Sequence, residues 1–432
     1  MKTGRVLTQS EKNWSKARKI IPAGTQCLSK GPTQFVDGVA PKYLKKGKGC
    51  YVWDVDGNKY IDYGMGLRAL ILGYSYPAVN KAIEKQLKDG TTFTLMHPLE
   101  LELAELLIKT IPCAEAVRYG KNGSDATTAA IRAARAYTER DKIAICGYHG
   151  WHDWYVITTE RNKGIPKIMK ELSFTFKYNN VESLKELLDK YPDQFAAVIM
   201  EPVGVTPPQN NFLRDVQKVA HDNGAVLIFD EIITGFRFSL GGAQEYFKVT
   251  PDLATFGKAM ANGMPIAALV GKQEIMNMFN ETFCSFTFGG ECLSLAAAIA
   301  TIKEIKARKV IDFIWKQGKK LQDGYYKLAK EHKLEKYTQC AGYPPSTLAK
   351  FVGKTPNESL LMKSIVQQEL IKRGILWAAY HAISYSHKDK EINRTLEAFD
   401  DALKVLGKAN RKGDFEKFLE GKPVKPVFRE IT

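Results

Sequence analysis

What most constrains this chain is a succession of short, nearly uninterrupted apolar runs, each separated from the next by a segment of helical periodicity. Strands are expected at 116–119, 142–146, 196–200, 225–229, 253–256 and 266–270, and helices at 99–110, 125–138, 181–190 and 213–223. A strand that is apolar on both faces has to be covered on both faces. Strands that alternate with helices are joined as parallel neighbours. The expected fold class is therefore α/β, with a mostly parallel central sheet between helical layers. Such sheets place ligands at the carboxyl ends of their strands. Glu201, Asp230 and Lys258 each follow a strand run at that end.

At 432 residues the chain exceeds what one hydrophobic core usually serves, so two domains are expected. Near the N-terminus, alternating apolar residues flank Asp56-Gly57, a hairpin signal. From about Val310 the chain becomes helix-rich and more charged, with a late helix at 391–406. The two ends are expected to combine into a smaller α+β domain, giving segments 1–63, 64–310 and 311–432, with the middle one as the large domain. The polar tail from Lys408, with Pro423 and Pro426, is expected to pack loosely.

Several classes are set aside. The longest apolar stretch, 293–302, falls short of the roughly 20 residues of a membrane span and reads as a buried helix. Residues 1–19 are polar and charged, without the apolar core of a secretory signal, so a cytoplasmic location is expected. The seven cysteines are scattered and form no C-x-x-C pair, which implies neither a disulfide framework nor a zinc site. The net charge of +16 is spread along the chain, with local excess at 42–48, 303–309 and the tail. No nucleic-acid motif accompanies it, so no nucleic-acid partner is expected. Such a field would draw an anionic substrate.

Lys258 stands in the apolar, glycine-flanked run Phe256-Gly257-Lys258-Ala259-Met260. A desolvated amine forms a Schiff base with a carbonyl. A carboxylate such as Asp230, ending a buried strand, can hold the pyridinium nitrogen of pyridoxal 5'-phosphate. Gly123-Ser124 follows one strand and opens a helix, where free N–H groups and the helix dipole favour a phosphate. Tyr148, in Tyr148-His149-Gly150, can stack on a flat ring. His149 and His152 lack a third ligand, so no metal is expected. Asp230-Glu231 at a strand end also suits a nucleotide-hydrolysing enzyme, but the required G-x-x-x-x-G-K-[ST] loop is missing.

These motifs resemble the class III, fold-type-I pyridoxal-phosphate-dependent aminotransferases, and within them the glutamate-1-semialdehyde 2,1-aminomutases and their homologues. The resemblance is densest at Trp53-Asp54-Val55-Asp56-Gly57-Asn58, Tyr148-His149-Gly150, Phe229-Asp230-Glu231-Ile232-Ile233-Thr234-Gly235-Phe236-Arg237 and Thr250-Pro251-Asp252-Leu253 through Lys258. It implies that Lys258 carries the cofactor and shuttles a proton, while Asp230 pairs with the ring nitrogen. It implies further that Ile232 and Tyr148 enclose the ring, that Gly123 and Ser124 bind the phosphate, and that Glu201 sits near the ring hydroxyl. Thr287 matches a threonine that reaches the neighbouring subunit's phosphate, which implies a homodimer with shared active sites.

The family's chemistry implies an amino donor, a carbonyl acceptor, and pyridoxamine 5'-phosphate between two half-reactions. The aminomutase arginine of the N-terminal substrate loop is absent here, leaving Lys30 as a point charge. The aminomutase glutamate is also missing from Trp377-Ala378-Ala379-Tyr380-His381. These departures favour an aminotransferase, with a sugar-derived or phosphorylated acceptor lined by Trp151, Glu291, Tyr380 and His381. The alternative is intramolecular amino transfer on glutamate 1-semialdehyde.

Overall fold

The computed structural model describes residues 5–425. Among these, the residues up to Tyr76 and from Asp312 onward gather into one compact unit, and Pro77–Ile311 into a second, larger one. Residues 64–76 stay with the N-terminal segment. The Tyr74 hydroxyl donates to Asp62 at 2.7 Å, and Gly49 and Tyr74 exchange backbone hydrogen bonds at 2.9 and 2.7 Å.

In chain order the strands are β1 (Leu44–Lys48), β2 (Tyr51–Asp54), β3 (Lys59–Asp62), β4 (Ala116–Gly120), β5 (Lys142–Cys146), β6 (Ser173–Thr175) and β7 (Phe195–Met200). They continue with β8 (Val226–Asp230), β9 (Leu253–Phe256), β10 (Ala267–Gly271), β11 (Thr338–Tyr343), β12 (Ser346–Phe351), β13 (Ile375–Leu376) and β14 (Tyr380–Ala382). The larger unit holds one sheet in the order β4-β10-β9-β8-β7-β5-β6. The pairs β6–β5, β5–β7, β7–β8 and β8–β9 are parallel.

Strand β10 is the exception to the expected parallel arrangement, because it runs antiparallel to both β9 and β4. The reason is the length of the connection. Only residues 257–266 separate β9 from β10, with a single 3-10 turn at Lys258–Ala261. A parallel crossover needs a dozen or more residues.

The apolar runs make the core they imply. Strands β7, β8, β9 and β10 are buried at every position. The helix Gly123–Thr138 packs over the sheet with Ala126, Ala129, Ala130, Ala133 and Ala134, whose small side chains permit a close approach. Ile143, Ile145 and Ile199 fill the layer beneath it. Each such side chain contributes about 1.5–3 kcal/mol on burial. The stretch 293–302 lies inside the helix Cys292–Ala307. Among the described residues no helix is long and apolar enough to cross a membrane.

In the smaller unit, the expected hairpin appears as β2 and β3 within the sheet β1-β2-β3-β13. A second sheet, β11-β12-β14, is not what the helix-rich reading anticipated. The late helix is longer than expected, Asp389–Lys412. The expectation of a loose tail is corrected as far as Lys425. Asp37 and Lys422 exchange backbone hydrogen bonds at 3.0 and 2.9 Å, and Val424 is buried with its N–H donating to Ser364 Oγ at 3.1 Å. Pro426 and the residues after it lie outside the described part.

Candidate active site

The parallel register aligns the carboxyl ends of four strands. Cys146 pairs with Met200, Met200 with Phe229, and Asp230 with Thr255. The segments leaving those ends carry Tyr148 and His149, Glu201, Asp230, and Lys258. Strand alternation separates the two acids of Asp230-Glu231 into different tasks. Glu231 is fully buried. It accepts from the backbone N–H groups of Ala243 and Gln244 at 2.7 and 2.8 Å and from the Thr234 hydroxyl. Burial pushes its carboxyl up despite those donors. It fixes the 234–244 loop.

Asp230 is buried and accepts at both oxygens. Ile232 N–H and the Thr255 hydroxyl donate to Oδ1 at 3.1 and 3.3 Å. His149 Nδ1 donates to Oδ2 at 2.8 Å. The opposite ring nitrogen of His149 lies 3.1 Å from the Cys146 carbonyl. Glu201 receives the Tyr148 N–H at 2.9 Å. Burial and then the charge of Asp230 push its carboxyl up, while His149, the Tyr148 N–H and Lys258 draw it back. Lys258, Asp230, Glu201 and His149 therefore share one electrostatic neighbourhood.

Lys258 has φ 42°, a left-handed backbone rarely taken by a lysine. Such conformations cost roughly 1–3 kcal/mol and gather at functional sites. Ile232 lies close to the backbone just before it. A Cβ added at Gly257 or at Gly123 would stand 3.1 or 3.2 Å from Ile232 Cδ1. The Tyr148 ring is set by the edge of Tyr155, with centroids 5.3 Å apart.

Gly123 and Ser124 open the helix Gly123–Thr138, where the first N–H groups have no acceptor within the helix. Asp125 Oδ2 ties the incoming turn by accepting from the Lys121 and Asn122 N–H groups at 2.9 and 2.8 Å. The turn after β5 presses against this end. A Cβ at Gly150 would stand 2.1 Å from Ser124 Oγ, and one at Gly147 would stand 2.7 Å from Glu201 Oε2. Both glycines have positive φ, 106° and 105°.

The residues expected to line a substrate pocket fare differently. Trp151 is exposed, and its N–H donates to Ser124 Oγ at 3.3 Å. Thr287 lies in an exposed loop. Glu291 caps the helix Cys292–Ala307, accepting from the Leu293 N–H and the Ser294 hydroxyl at 2.7 and 2.6 Å, and pairs with Lys121 at 3.0 Å. Burial opposes its ionisation, but Ser294, Lys121 and the Leu293 N–H together hold its carboxyl below the usual range. A carboxylate so engaged is a helix cap, which corrects its expected substrate role.

In the smaller unit Lys30 is exposed, and Tyr380 lies under the Arg68 guanidinium at 4.0 Å. His381 is fully buried. Trp377 Nε1 donates to its Nε2 at 2.8 Å, and its Nδ1 meets the Thr347 hydroxyl at 2.9 Å. With both nitrogens used inside the core, it offers nothing to a ligand, and its expected place in the pocket is corrected too. The residue sequence reasoning missed is His149, weighed only as a metal ligand. Its position beside Tyr148, just past a buried strand, was the available signal.

A family model described as Aminotransferase class-III matches residues 36–355. The chain is 38% identical over 416 residues to the 3-aminobutyryl-CoA aminotransferase of Cloacimonas acidaminovorans (strain Evry), covering 93% of this chain and 98% of the relative. It is 34% identical over 429 residues to the glutamate-1-semialdehyde 2,1-aminomutase of Alkaliphilus metalliredigens (strain QYMF), covering 92% and 96%. Among solved structures it is similar to the PLP internal aldimine form of the Sphingopyxis sp. MTA144 FumI protein, with a TM-score of 0.88, 25% identity, and coverage of 96% and 99%. With more than half the chain inside the family model and relatives matched over nearly their whole length, this protein belongs to the class III aminotransferases.

Proposed function

We propose that this class III aminotransferase moves an amino group between an amino acid and a carbonyl carried on an acyl thioester of coenzyme A, with pyridoxal phosphate as its cofactor. The observation that carries the substrate reading is the 38% identity, over nearly all of both chains, to a relative named for 3-aminobutyryl-CoA. A coenzyme A thioester is a phosphorylated carbonyl compound, and the +16 charge suits an anionic substrate. A sugar-derived acceptor has less support, since Glu291 and His381 are engaged elsewhere.

The residues present fit the cofactor. The first turn of the Gly123–Thr138 helix, with Ser124 Oγ, would take its phosphate. Asp230, held by three donors, would hold its ring N–H. Ile232 and Tyr148 would enclose its ring. When bound, the group supplies an electron sink for the carbanion made at the substrate carbon. Lys258 Nζ would hold the cofactor covalently and, once the substrate amine has displaced it, would carry the proton from the substrate carbon across to the cofactor carbon. His149 keeps the Asp230 carboxylate oriented. Glu201 lies beside this pair and limits its negative charge by resisting ionisation.

The proposal includes a homodimer, with Thr287 serving the partner's phosphate. Exposed apolar side chains of the larger unit support it, among them Leu95, Met96, Phe283 and Phe288. A cytoplasmic location is supported by seven unpaired cysteines.

The second reading, intramolecular amino transfer on glutamate 1-semialdehyde, is favoured by the 34% identity to an aminomutase. Cofactor spectroscopy separates the two. The purified enzyme is mixed with L-glutamate alone, 3-aminobutyryl-CoA alone, and glutamate 1-semialdehyde alone. Loss of the pyridoxal band with either of the first two is expected. Steady conversion of the semialdehyde, with no donor and no response to the thioester, would overturn the proposal.

A further inference from the structure

One turn along the Gly123–Thr138 helix from Ser124 lies a cavity of about 400 Å³. Its lining includes Thr128, Arg132, Arg135, Trp151, His152 and Trp154. That size falls within the roughly 300–1,000 Å³ of small-molecule sites. The charge is unbalanced, since Asp153 is the one carboxylate residue in the lining against two guanidinium groups. Both arginines are anchored by backbone carbonyls. Arg132 donates to Phe283 O at 2.6 Å and Arg135 to Asp141 O at 2.9 Å. Arg135 Nη2 is buried with no hydrogen-bond partner.

The neighbouring polar groups are hydrogen-bonded to one another: Trp154 Nε1 donates to Thr128 Oγ1 at 2.8 Å, and the Thr128 hydroxyl meets His152 Nδ1 at 2.5 Å. Trp151 is 70% exposed, so its indole face is open to a ligand. A cavity with donors, cations and an open aromatic face suits an aromatic ring bearing phosphates.

We infer that this cavity binds the nucleotide end of the thioester substrate, with the adenine on Trp151 and phosphates on Arg132 and Arg135. The inference rests on the coenzyme A reading above. It also explains how a substrate whose reacting carbon is small can be selected by a remote, unreactive handle.

The test compares wild type with Arg132→Gln and Arg135→Gln, all loaded with pyridoxal phosphate. KM is measured for 3-aminobutyryl-CoA and for the same acyl group on N-acetylcysteamine, which lacks the nucleotide. Calorimetric binding of adenosine 3',5'-bisphosphate is measured alongside. Expected is at least a tenfold rise in KM for the coenzyme A thioester in each variant. The truncated thioester should change less than twofold, and adenosine bisphosphate binding should weaken at least tenfold. Equal KM changes for both thioesters, or adenosine bisphosphate binding untouched by both variants, overturns this inference alone. Transamination of free amino acids with no turnover of either thioester overturns the coenzyme A reading as well.

Discussion

His149 Nδ1 stands 2.8 Å from Asp230 Oδ2, with both side chains buried. Its Nε2 faces the Cys146 carbonyl at 3.1 Å. The carboxylate can only accept, so Nδ1 donates to it and sets its angle. A hydrogen bond to a charged group is worth about 1.5–3 kcal/mol. His149→Phe is therefore expected to lower kcat about 10- to 150-fold and to speed cofactor loss on dialysis, while His149→Asn recovers part of both.

The turn carrying that histidine ends at Gly150, where an added Cβ would fall 2.1 Å from Ser124 Oγ. The φ of 106° adds strain for any L side chain. Gly150→Ala should displace Ser124 and the helix start that receives the phosphate. The expected result is at least a tenfold weaker affinity for pyridoxal phosphate, measured by equilibrium titration of the apoenzyme. The Michaelis constant for amino donor at saturating cofactor should change little.

Glu291 separates a helix cap from a substrate contact. Glu291→Ala removes the cap of the helix Cys292–Ala307 and the partner of Lys121. Loss of a cap costs about 0.5–2 kcal/mol. A fall in denaturant-measured stability of that order is expected, with the ratio of kcat/KM values between two acceptors unchanged. A change in that ratio would restore Glu291 to the pocket.

His381 gives a pH signature. Its Nε2 accepts the Trp377 indole N–H, so a proton there would face another donor. Burial, and then the charge of His387, depresses its pKa from 6.5 to about 3. The unfolded chain takes up a proton near the ordinary value and the folded one does not. Stability from this group is thus present above the unfolded value and lost as the pH falls toward the folded one. The loss is about 1.4 kcal/mol per pH unit across that window. His381→Gln, which keeps an acceptor for Trp377, should flatten the slope of unfolding free energy between pH 6 and pH 4.

How much of this was legible in the sequence depended on how locally each feature is encoded. Strands β7, β8 and β9 were readable because their runs are almost wholly apolar and buried at every position, and Lys258 and Asp230 because each interrupts or ends such a run. The reversal of β10 was written only in the shortness of 257–266. The hairpin β11–β12 was hidden because polar residues share both faces, as in Thr338-Gln339-Cys340 and Ser346-Thr347-Leu348. Its one punctuation mark is Pro344-Pro345 between the strands. The tasks of Glu291 and His381 depend on partners far off in sequence, Lys121 for one and Thr347 for the other. No local pattern distinguishes a capping glutamate or a core histidine from one that meets a ligand.

The account turns on the ε-nitrogen of Lys258. The most direct measurement is borohydride reduction of the enzyme loaded with pyridoxal phosphate, followed by mass mapping of its peptides. A single reduced pyridoxyl adduct on Lys258, abolished in Lys258→Ala, is the predicted result. An adduct on another lysine, or none at saturating cofactor, would contradict it.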